Sequence, residues 1–231
     1  MEVISKTPGK LVLRLDVSES LANAIRRSVA EVPTLAISEV EIFKNDSALY
    51  DELLSHRLGL VPLKTEKSMN EKTKIDLKIK KVGPGVVYSG DLEGGAEVVE
   101  GKIPLVLIGA GHSVELVATA TLGKGVQHAK HTPGLCYYRH LLEVSSSAEI
   151  DKIVQRSKGE MKPVKSGSKW VCDLREADVD AIKAIDKDAV KDMDDLVFVV
   201  ESYGVMPAQD IFQKAIEALT DNADEFLKEL K

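Results

Sequence analysis

The sequence predicts an α+β fold, with an amphipathic helix near each end of the chain and a β-rich segment between them. Apolar residues recur four apart in both helices, at Leu21, Ile25 and Val29 and again at Ile211, Ala215 and Leu219. In residues 64–130, short alternating apolar runs are separated by glycine, which is typical of strands. We therefore expect two helices that each carry one apolar face, together with a β-rich unit.

Composition and charge limit the function classes. The 231 residues are 44% hydrophobic, which suffices for a sizeable core. The formal net charge is −6 and aromatic residues make up only 4%, whereas a nucleic-acid-binding protein is normally basic and a base-stacking surface needs aromatic rings. A sequence-specific DNA-binding protein is therefore disfavoured. Because no run of about 18 apolar residues and no secretory leader is visible, we expect a cytoplasmic protein.

The first part of the chain predicts strands that alternate with helices. Alternating leucines indicate the first strand, and Pro33 disfavours helical geometry at the residue before it. Four elements are predicted: a strand over residues 1–15, a helix from a cap at Asp16 or Ser18 to Pro33, a strand over 35–43, and a helix from Asn45-Asp46-Ser47 through Arg57 to Gly59.

The remainder predicts further strands, a polar segment and a final helix. Residues 145–195 are more polar and contain a basic, turn-rich loop at 162–169. Pro207 opens the last helix at a favourable position, and apolar residues continue to its end at Phe226, Leu227 and Leu230. Strands are predicted at 75–80, 98–99, 103–108, 114–122 and 196–201, and helical patches at 150–154 and 181–185.

Several sequence blocks, in order over nearly the whole chain, resemble those of one family. The blocks are Asn23-Ala24-Ile25-Arg26-Arg27 with 32–34 and the strand 35–42, His56-Arg57-Leu58-Gly59-Leu60-Val61-Pro62-Leu63, 87–92, 103–106, 123–130, 198–204 and 215–219. Together they resemble the alpha-like subunits of RNA polymerase, and within that family its archaeal members.

The resemblance implies a discontinuous fold and an assembly function. Residues 1–45 and 196–231 would form an alpha-like dimerisation domain, and residues 46–195 an inserted domain, β-rich to about 144 and polar and mixed over 145–195. The implied function is a non-catalytic scaffold subunit of DNA-dependent RNA polymerase, with no catalytic residue. It would pair with the smaller subunit L, receive subunits N and P, and recruit the second-largest catalytic subunit, so that DNA is met only through the complex.

Two surfaces are predicted on this basis. The dimerisation interface is predicted at Leu21, Ile25, Val29, Ile211, Ala215 and Leu219, because an apolar stripe must be buried against something. The docking surface for further subunits is predicted at Arg26, Arg27, His56 and Arg57, because arginine beside apolar residues is common in protein interfaces. The open alternative is that these cations serve their own domain.

The alternative function is a stand-alone nucleotide-binding enzyme that uses the glycine turn at Gly109 or Gly123. Gly109-Ala110-Gly111 lacks the third glycine of a dinucleotide loop, and a β-run follows it where such a loop requires a helix. Gly123-Lys124-Gly125 lacks the spacing and the Ser or Thr of a phosphate loop. Turns between strands are therefore the favoured interpretation.

No metal ion or cofactor is expected. Some archaeal members of the family carry an iron–sulfur cluster, which requires three or four clustered cysteines, but this chain has only Cys136 and Cys172. The spacing of His128 and His131 could suit a metal, yet no carboxylate cluster accompanies them. The acidic run Asp192-Met193-Asp194-Asp195 is expected to be a solvated helix or turn.

Overall fold

The computed structural model describes residues 1–70 and 72–230, and this part of the chain is a mixture of helices and sheets, as predicted. The helices are α1 (Glu19–Ser28), α2 (Asp51–Gly59), α3 (Ala148–Arg156), α4 (Glu176–Ile185) and α5 (Ala208–Glu229). The strands are β1 (Glu2–Lys6), β2 (Lys10–Leu15), β3 (Thr34–Asn45), β4 (Lys74–Val82), β5 (Gly85–Tyr88), β6 (Glu93–Gly94), β7 (Pro104–Ile108), β8 (Ser113–Gly123), β9 (Gly134–Ser145), β10 (Val164–Ser166), β11 (Lys169–Cys172) and β12 (Val190–Ser202). None of the described helices is long and apolar enough to cross a membrane.

Strands from both ends of the chain meet in one six-stranded sheet, in the order β1-β2-β12-β9-β11-β10. Side chains alternate between the faces of a strand, so β12 supplies apolar residues to both sides. On one face, Phe198 packs with α1 and α5, and its ring lies 5.6 Å from that of Phe212 in an edge-on arrangement. On the other face, Val197 and Val199 pack with Met161. Helices α3 and α4 share a separate core with Trp170 and Cys172.

The middle of the chain contains a second sheet with its own core. Its strand order is β3-β8-β4-β6, and β5 and β7 form a separate pair. Helix α2 buries Leu54 and Leu58 against this unit, where they join Ile37 and Leu77. The middle sheet therefore has one hydrophobic core, whereas the six-stranded sheet borders three: one with α1 and α5, one with α3 and α4, and one around Met161.

The strand pairing groups the chain differently from the predicted ranges 1–45, 46–195 and 196–231. Strand β3 pairs with β8 in the middle sheet, although the prediction places it in the terminal domain. Strands β9 and β11, which the prediction places in the insertion, lie in the six-stranded sheet beside β12. The strand pairing therefore places residues 34–45 with the middle sheet and residues 134–195 with the six-stranded sheet.

Two turns lie where the sequence predicts regular structure, one inside the first strand and one at the start of the second helix. The single strand predicted over 1–15 is a hairpin, in which Thr7 N donates to Lys10 O at 2.8 Å across Pro8 and Gly9. The second helix begins at Asp51 rather than at residues 45–47, since β3 continues to Asn45. The Asn45 side chain accepts from Ser47 N at 3.1 Å and so forms a turn instead of a helix cap.

Other local predictions also need correction. The acidic run 192–195 is neither helix nor turn, because it lies within β12 at an irregularity in its pairing with β9. Residues 98–99 contribute only an isolated pairing of Val98 with Leu63. The loop predicted at 162–169 contains β10 and the start of β11, which form a hairpin. Strand β9 was not predicted, although it lies at the centre of the six-stranded sheet.

Candidate functional site

Helix α1 turns most of its predicted interface stripe toward the protein's own core. The helix is capped by Ser18, whose side chain accepts from Leu21 N, and a 3₁₀ turn over Val29–Glu31 follows it before Pro33. Ile25 is only 8% exposed and Val29 is buried, whereas Leu21 is 44% exposed. Ile25 and Val29 pack against the six-stranded sheet, so that this chain already covers them.

The predicted stripe on α5 is covered in the same way over its first half. Ile211 and Ala215 are fully buried in the core that α1 also lines, and Leu219 is half-buried at the edge of that core. Four of the six residues predicted for the dimerisation interface therefore serve this chain's own fold. Leu21 and Leu219 are the two that retain accessible surface.

The second half of α5 has no core to pack on. Every residue from 221 to 230 is exposed, yet Phe226 and Leu230 follow Ala215 and Leu219 on one helical face at spacings of four, seven and four. Phe226 is 64% exposed and Leu230 is 67% exposed. The sequence showed this apolar continuation, but the interface residues were placed on the half of the helix that the chain itself covers.

The paired arginines lie in an open cavity at the end of α1. Arg26 is half-buried, and its Nε and Nη2 donate to Asn23 Oδ1 at 3.1 and 2.9 Å, while Arg27 is exposed. Neither guanidinium forms an ion pair within the part of the chain that the structure describes. The cavity measures about 550 Å³ and is also lined by the exposed side chains Val126, Leu135 and Tyr203. Two arginine side chains and three exposed apolar or aromatic side chains therefore line the same cavity.

A cysteine also lines this cavity but is not poised for thiolate chemistry. Cys136 is half-buried, and burial raises the pKa of its thiol to about 12, although the nearby Arg26 acts in the opposite direction. A thiol is a nucleophile and a metal ligand only when deprotonated. Cys136 therefore contributes packing to the cavity wall.

His56 and Arg57 are exposed in the last turn of α2 and face two different surfaces. Arg57 Nη2 donates to Pro104 O at 2.6 Å and borders an apolar groove lined by Leu49, Val86 and Leu107. His56 lines a small cavity of about 140 Å³ with His128 and Lys130. The four predicted docking residues thus lie on three concave surfaces, and only Arg26 and Arg27 share one.

The segment 124–131 connects the arginine cavity with the small histidine cavity. Val126 lines the first, and His128 and Lys130 line the second. Lys130 Nζ donates to Ile37 O at 3.0 Å, and burial lowers the pKa of this ammonium. The His131 ring lies 2.7 Å from Thr34 O through Nδ1, and its burial lowers its pKa. These contacts fix the segment, which links β8 of the middle sheet to β9 of the six-stranded sheet, against β3.

The geometry around the other candidate residues is simpler. In the described part of the chain, no three His, Cys, Asp or Glu side chains are close enough together to hold a metal ion, and both cysteines are free. The glycine turn at 109–111 joins β7 to β8, and Gly111 has a φ of 74°. Because that turn leads into a strand, it lacks the helix N-terminus on which dinucleotide loops depend.

Comparison with known proteins gives one consistent result. The family model of the RNA polymerase Rpb3/Rpb11 dimerisation domain matches residues 14–223. DNA-directed RNA polymerase subunit Rpo3 of Pyrococcus horikoshii is 34% identical over 100% of this chain and 97% of its own length. The subunits of the same name from Methanothermobacter thermautotrophicus and Methanocaldococcus jannaschii are 34% and 30% identical, over 96% of this chain and over 95% and 91% of their own lengths. The similarity runs through both sheets and is not confined to one segment.

Proposed function

The chain belongs to the RNA polymerase Rpb3/Rpb11 dimerisation-domain family, and we infer that it is a non-catalytic assembly subunit of a DNA-directed RNA polymerase. Relatives that carry the name of a polymerase subunit match it over nearly their whole length. The alternative of a stand-alone nucleotide-binding enzyme is not supported, because neither of its glycine turns leads into an α-helix: 109–111 joins β7 to β8, and 123–125 lies between β8 and β9. In this role the subunit acts in the cytoplasm and meets DNA only through the complex.

The proposed partner interface is the exposed end of α5 together with the exposed part of α1. The single observation that carries it is the apolar face of α5, which continues through Phe226 and Leu230 after the chain has no more core to cover it. Apolar helix faces of this kind are normally buried against a partner. We assign subunit L to this surface, with Leu21 and Leu219 at the near edge. An obligate interface of this kind buries roughly 2,000 Å² or more.

The proposed domain organisation follows the sheets. The six-stranded sheet with α1 and α5 would be the dimerisation domain, and residues 34–131 would be the insertion that interrupts it. This division is supported by the separate cores of the two sheets. It differs from the ranges expected from the sequence in the placement of β3 and of residues 134–195.

The proposed assembly surface lies around the segment 124–131, which links the two sheets. Arg26 and Arg27 remain accessible in their cavity after the rest of α1 is buried, and His56 lies across the segment 124–131 from them. Arg57 borders the apolar groove on the far side of α2. We propose that the second-largest catalytic subunit docks on the arginine and histidine cavities once subunit L is bound, and that subunits N and P complete the platform.

The pairing proposal is tested by placing a charge on the uncovered face of α5. The Phe226→Asp/Leu230→Asp double variant should bind subunit L at least tenfold more weakly, because large apolar anchors dominate such interfaces. Lys228→Asp places the same carboxylate on the opposite face of the helix and serves as the matched control. Affinity is measured by surface plasmon resonance with immobilised subunit L. Equal affinity of the double variant and the control would contradict the assignment.

A further inference from the structure

We infer that the small cavity between the end of α2 and the segment 124–131 binds a carboxylate side chain of the second-largest polymerase subunit. This inference rests on the proposed function and names the chemistry of one contact within the docking surface. It concerns His56, which is among the predicted docking residues, together with His128 and Lys130.

The lining of the cavity suits a negatively charged acceptor. Among the described residues that line it there is no Asp or Glu. The side chains with hydrogen-bond donors are Ser55, His56, His128 and Lys130, whereas the Ser38 hydroxyl already contacts Ala36 O and Thr121 Oγ1. The apolar lining comes from Ile37, Val40 and Leu60. An ionised carboxylate only accepts hydrogen bonds, so that it complements a cavity lined by several donors and no carboxylate.

The backbone fixes His128 as a donor. Its Nδ1 accepts from Lys130 N at 3.1 Å, at the start of the 3₁₀ turn over Ala129–His131. Because Nδ1 is the acceptor, the proton of the neutral ring must lie on Nε2. The ring therefore offers an N–H group from Nε2 without any change in protonation.

Lys130 is a half-buried cation whose charge no carboxylate balances within the described residues. Its Nζ donates to Ile37 O, and an ammonium has three donors, so two remain for a ligand. The lowered pKa of this group has desolvation as its cause, which a carboxylate in the cavity would offset. The carbonyls at the end of α2 do not oppose an anion strongly, since Leu60 N and Val61 N already donate to Arg57 O and Leu58 O.

The size and the surroundings of the cavity favour a protein side chain over a free nucleotide. Its volume of about 140 Å³ is below the roughly 300–1,000 Å³ that is usual for small-molecule sites. Leu60, which lines the cavity, and Val126, on the segment 124–131, are exposed apolar residues. Apolar anchors next to a desolvated ion pair are typical of protein interfaces, whereas a nucleic-acid backbone would leave them uncovered.

The experiment replaces the two imidazole rings by shorter side chains and keeps the backbone contact of residue 128. An Asn side chain at position 128 can accept from Lys130 N as His128 Nδ1 does, but it does not reach as far as Nε2. The His56→Asn/His128→Asn double variant, paired with subunit L, should capture the second-largest subunit about tenfold more weakly or worse, since hydrogen bonds to charged groups are the strong ones. His112→Asn, on the exposed turn between β7 and β8, is the matched control and should capture it as the unchanged protein does.

Capture is measured by biolayer interferometry, with circular dichroism as the check on folding. Full capture by the double variant overturns the carboxylate site and docking on the histidine cavity, but leaves docking on the arginine cavity standing. Failure of the unchanged pair to capture the second-largest subunit contradicts the docking proposal itself, and the carboxylate site with it. A labelled DNA duplex is titrated in parallel. If the double variant loses binding to the duplex and retains subunit capture, the anion is a phosphate and the inference is wrong.

Discussion

Helix α1 and the end of α5 have the same kind of sequence but different surroundings. Both carry apolar residues at helical spacing, yet Ile25 on α1 is 8% exposed and Phe226 on α5 is 64% exposed. The chain covers α1 with its own sheet, whereas no part of residues 1–70 and 72–230 covers the end of α5. An apolar stripe therefore shows that a helix must be buried, and only the fold shows whether the same chain or a partner buries it.

The largest effect is expected when a charge enters the self-covered face. Ile25→Asp should lower the free energy of unfolding of this chain alone by about 4 kcal/mol or more, because an unpaired carboxylate is buried and apolar contacts are lost. Leu21→Asp, one turn earlier on the exposed side, should change it by less than about 1 kcal/mol. Urea titrations followed by circular dichroism measure both variants. If Ile25→Asp retains full stability, α1 is not part of this chain's core.

A matched pair of phenylalanines compares the two halves of α5. Phe212→Ala should cost about 3–5 kcal/mol, because its ring is buried and contacts that of Phe198. Phe226→Ala should stay within about 0.5 kcal/mol in the single chain, since the side chain has no core to leave. Thermal unfolding of each variant, without subunit L, measures the two losses of stability. A large loss in Phe226→Ala would mean that the end of α5 packs on this chain after all.

The smallest effect is expected for the side-chain contact between Glu19 of α1 and His140 of β9, called the tether below. Among the described residues, the end of α5 has no such side-chain contact with a strand. His140 Nε2 lies 2.9 Å from Glu19 Oε1, and His140 Nδ1 lies 2.6 Å from Met193 O. The Glu19 hydrogen bond raises the pKa of His140, with the Met193 carbonyl and the nearby Asp192 acting in the same direction and burial against it. The folded state thus binds the proton more tightly than the unfolded state does.

The tether should therefore stabilise the fold below the unfolded pKa of about 6.5, and its contribution should be lost as the pH rises through the raised pKa. The pair is largely exposed, so the difference between about pH 5.5 and pH 8.5 should be under about 1 kcal/mol. Glu19→Gln should remove most of that difference. The same pH dependence in the variant and in the unchanged protein would show that Glu19 does not control His140.

The parts of the fold that follow from local pattern were predictable. The periodicity of α1 and α5, the strands β4, β7 and β8, and the end of the first helix before Pro33 all depend on residues close in sequence. The sheet partners could not be predicted in this way. Strand β9 pairs with β12 at sequence separations from 46 residues (Val144 with Val190) to 68 residues (Gly134 with Ser202). Strand β3 joins β8 instead of the strands that precede it. Pairing between strands that are so far apart in sequence leaves no signal in the local residue pattern.

The candidate site was predictable in part for the same reason. The blocks around Arg26 and His56 identified residues that line cavities, but sequence order did not show that segment 124–131 lies between them. Lys130 and His128 were therefore missed as neighbours of His56. The apolar residues at the end of α5 were visible, but their importance depends on exposure, which periodicity does not give.

Hydrogen–deuterium exchange tests most directly whether α1 is covered by its own chain and the end of α5 by a partner. In the chain alone, amides of residues 221–230 should exchange fast and those of α1 slowly, because exchange follows local opening. On addition of subunit L, residues 221–230 should become protected by at least tenfold, while the buried part of α1 should change little. The account is contradicted if residues 221–230 remain fast in the complex, or if α1 is fast in the free chain and gains the protection instead.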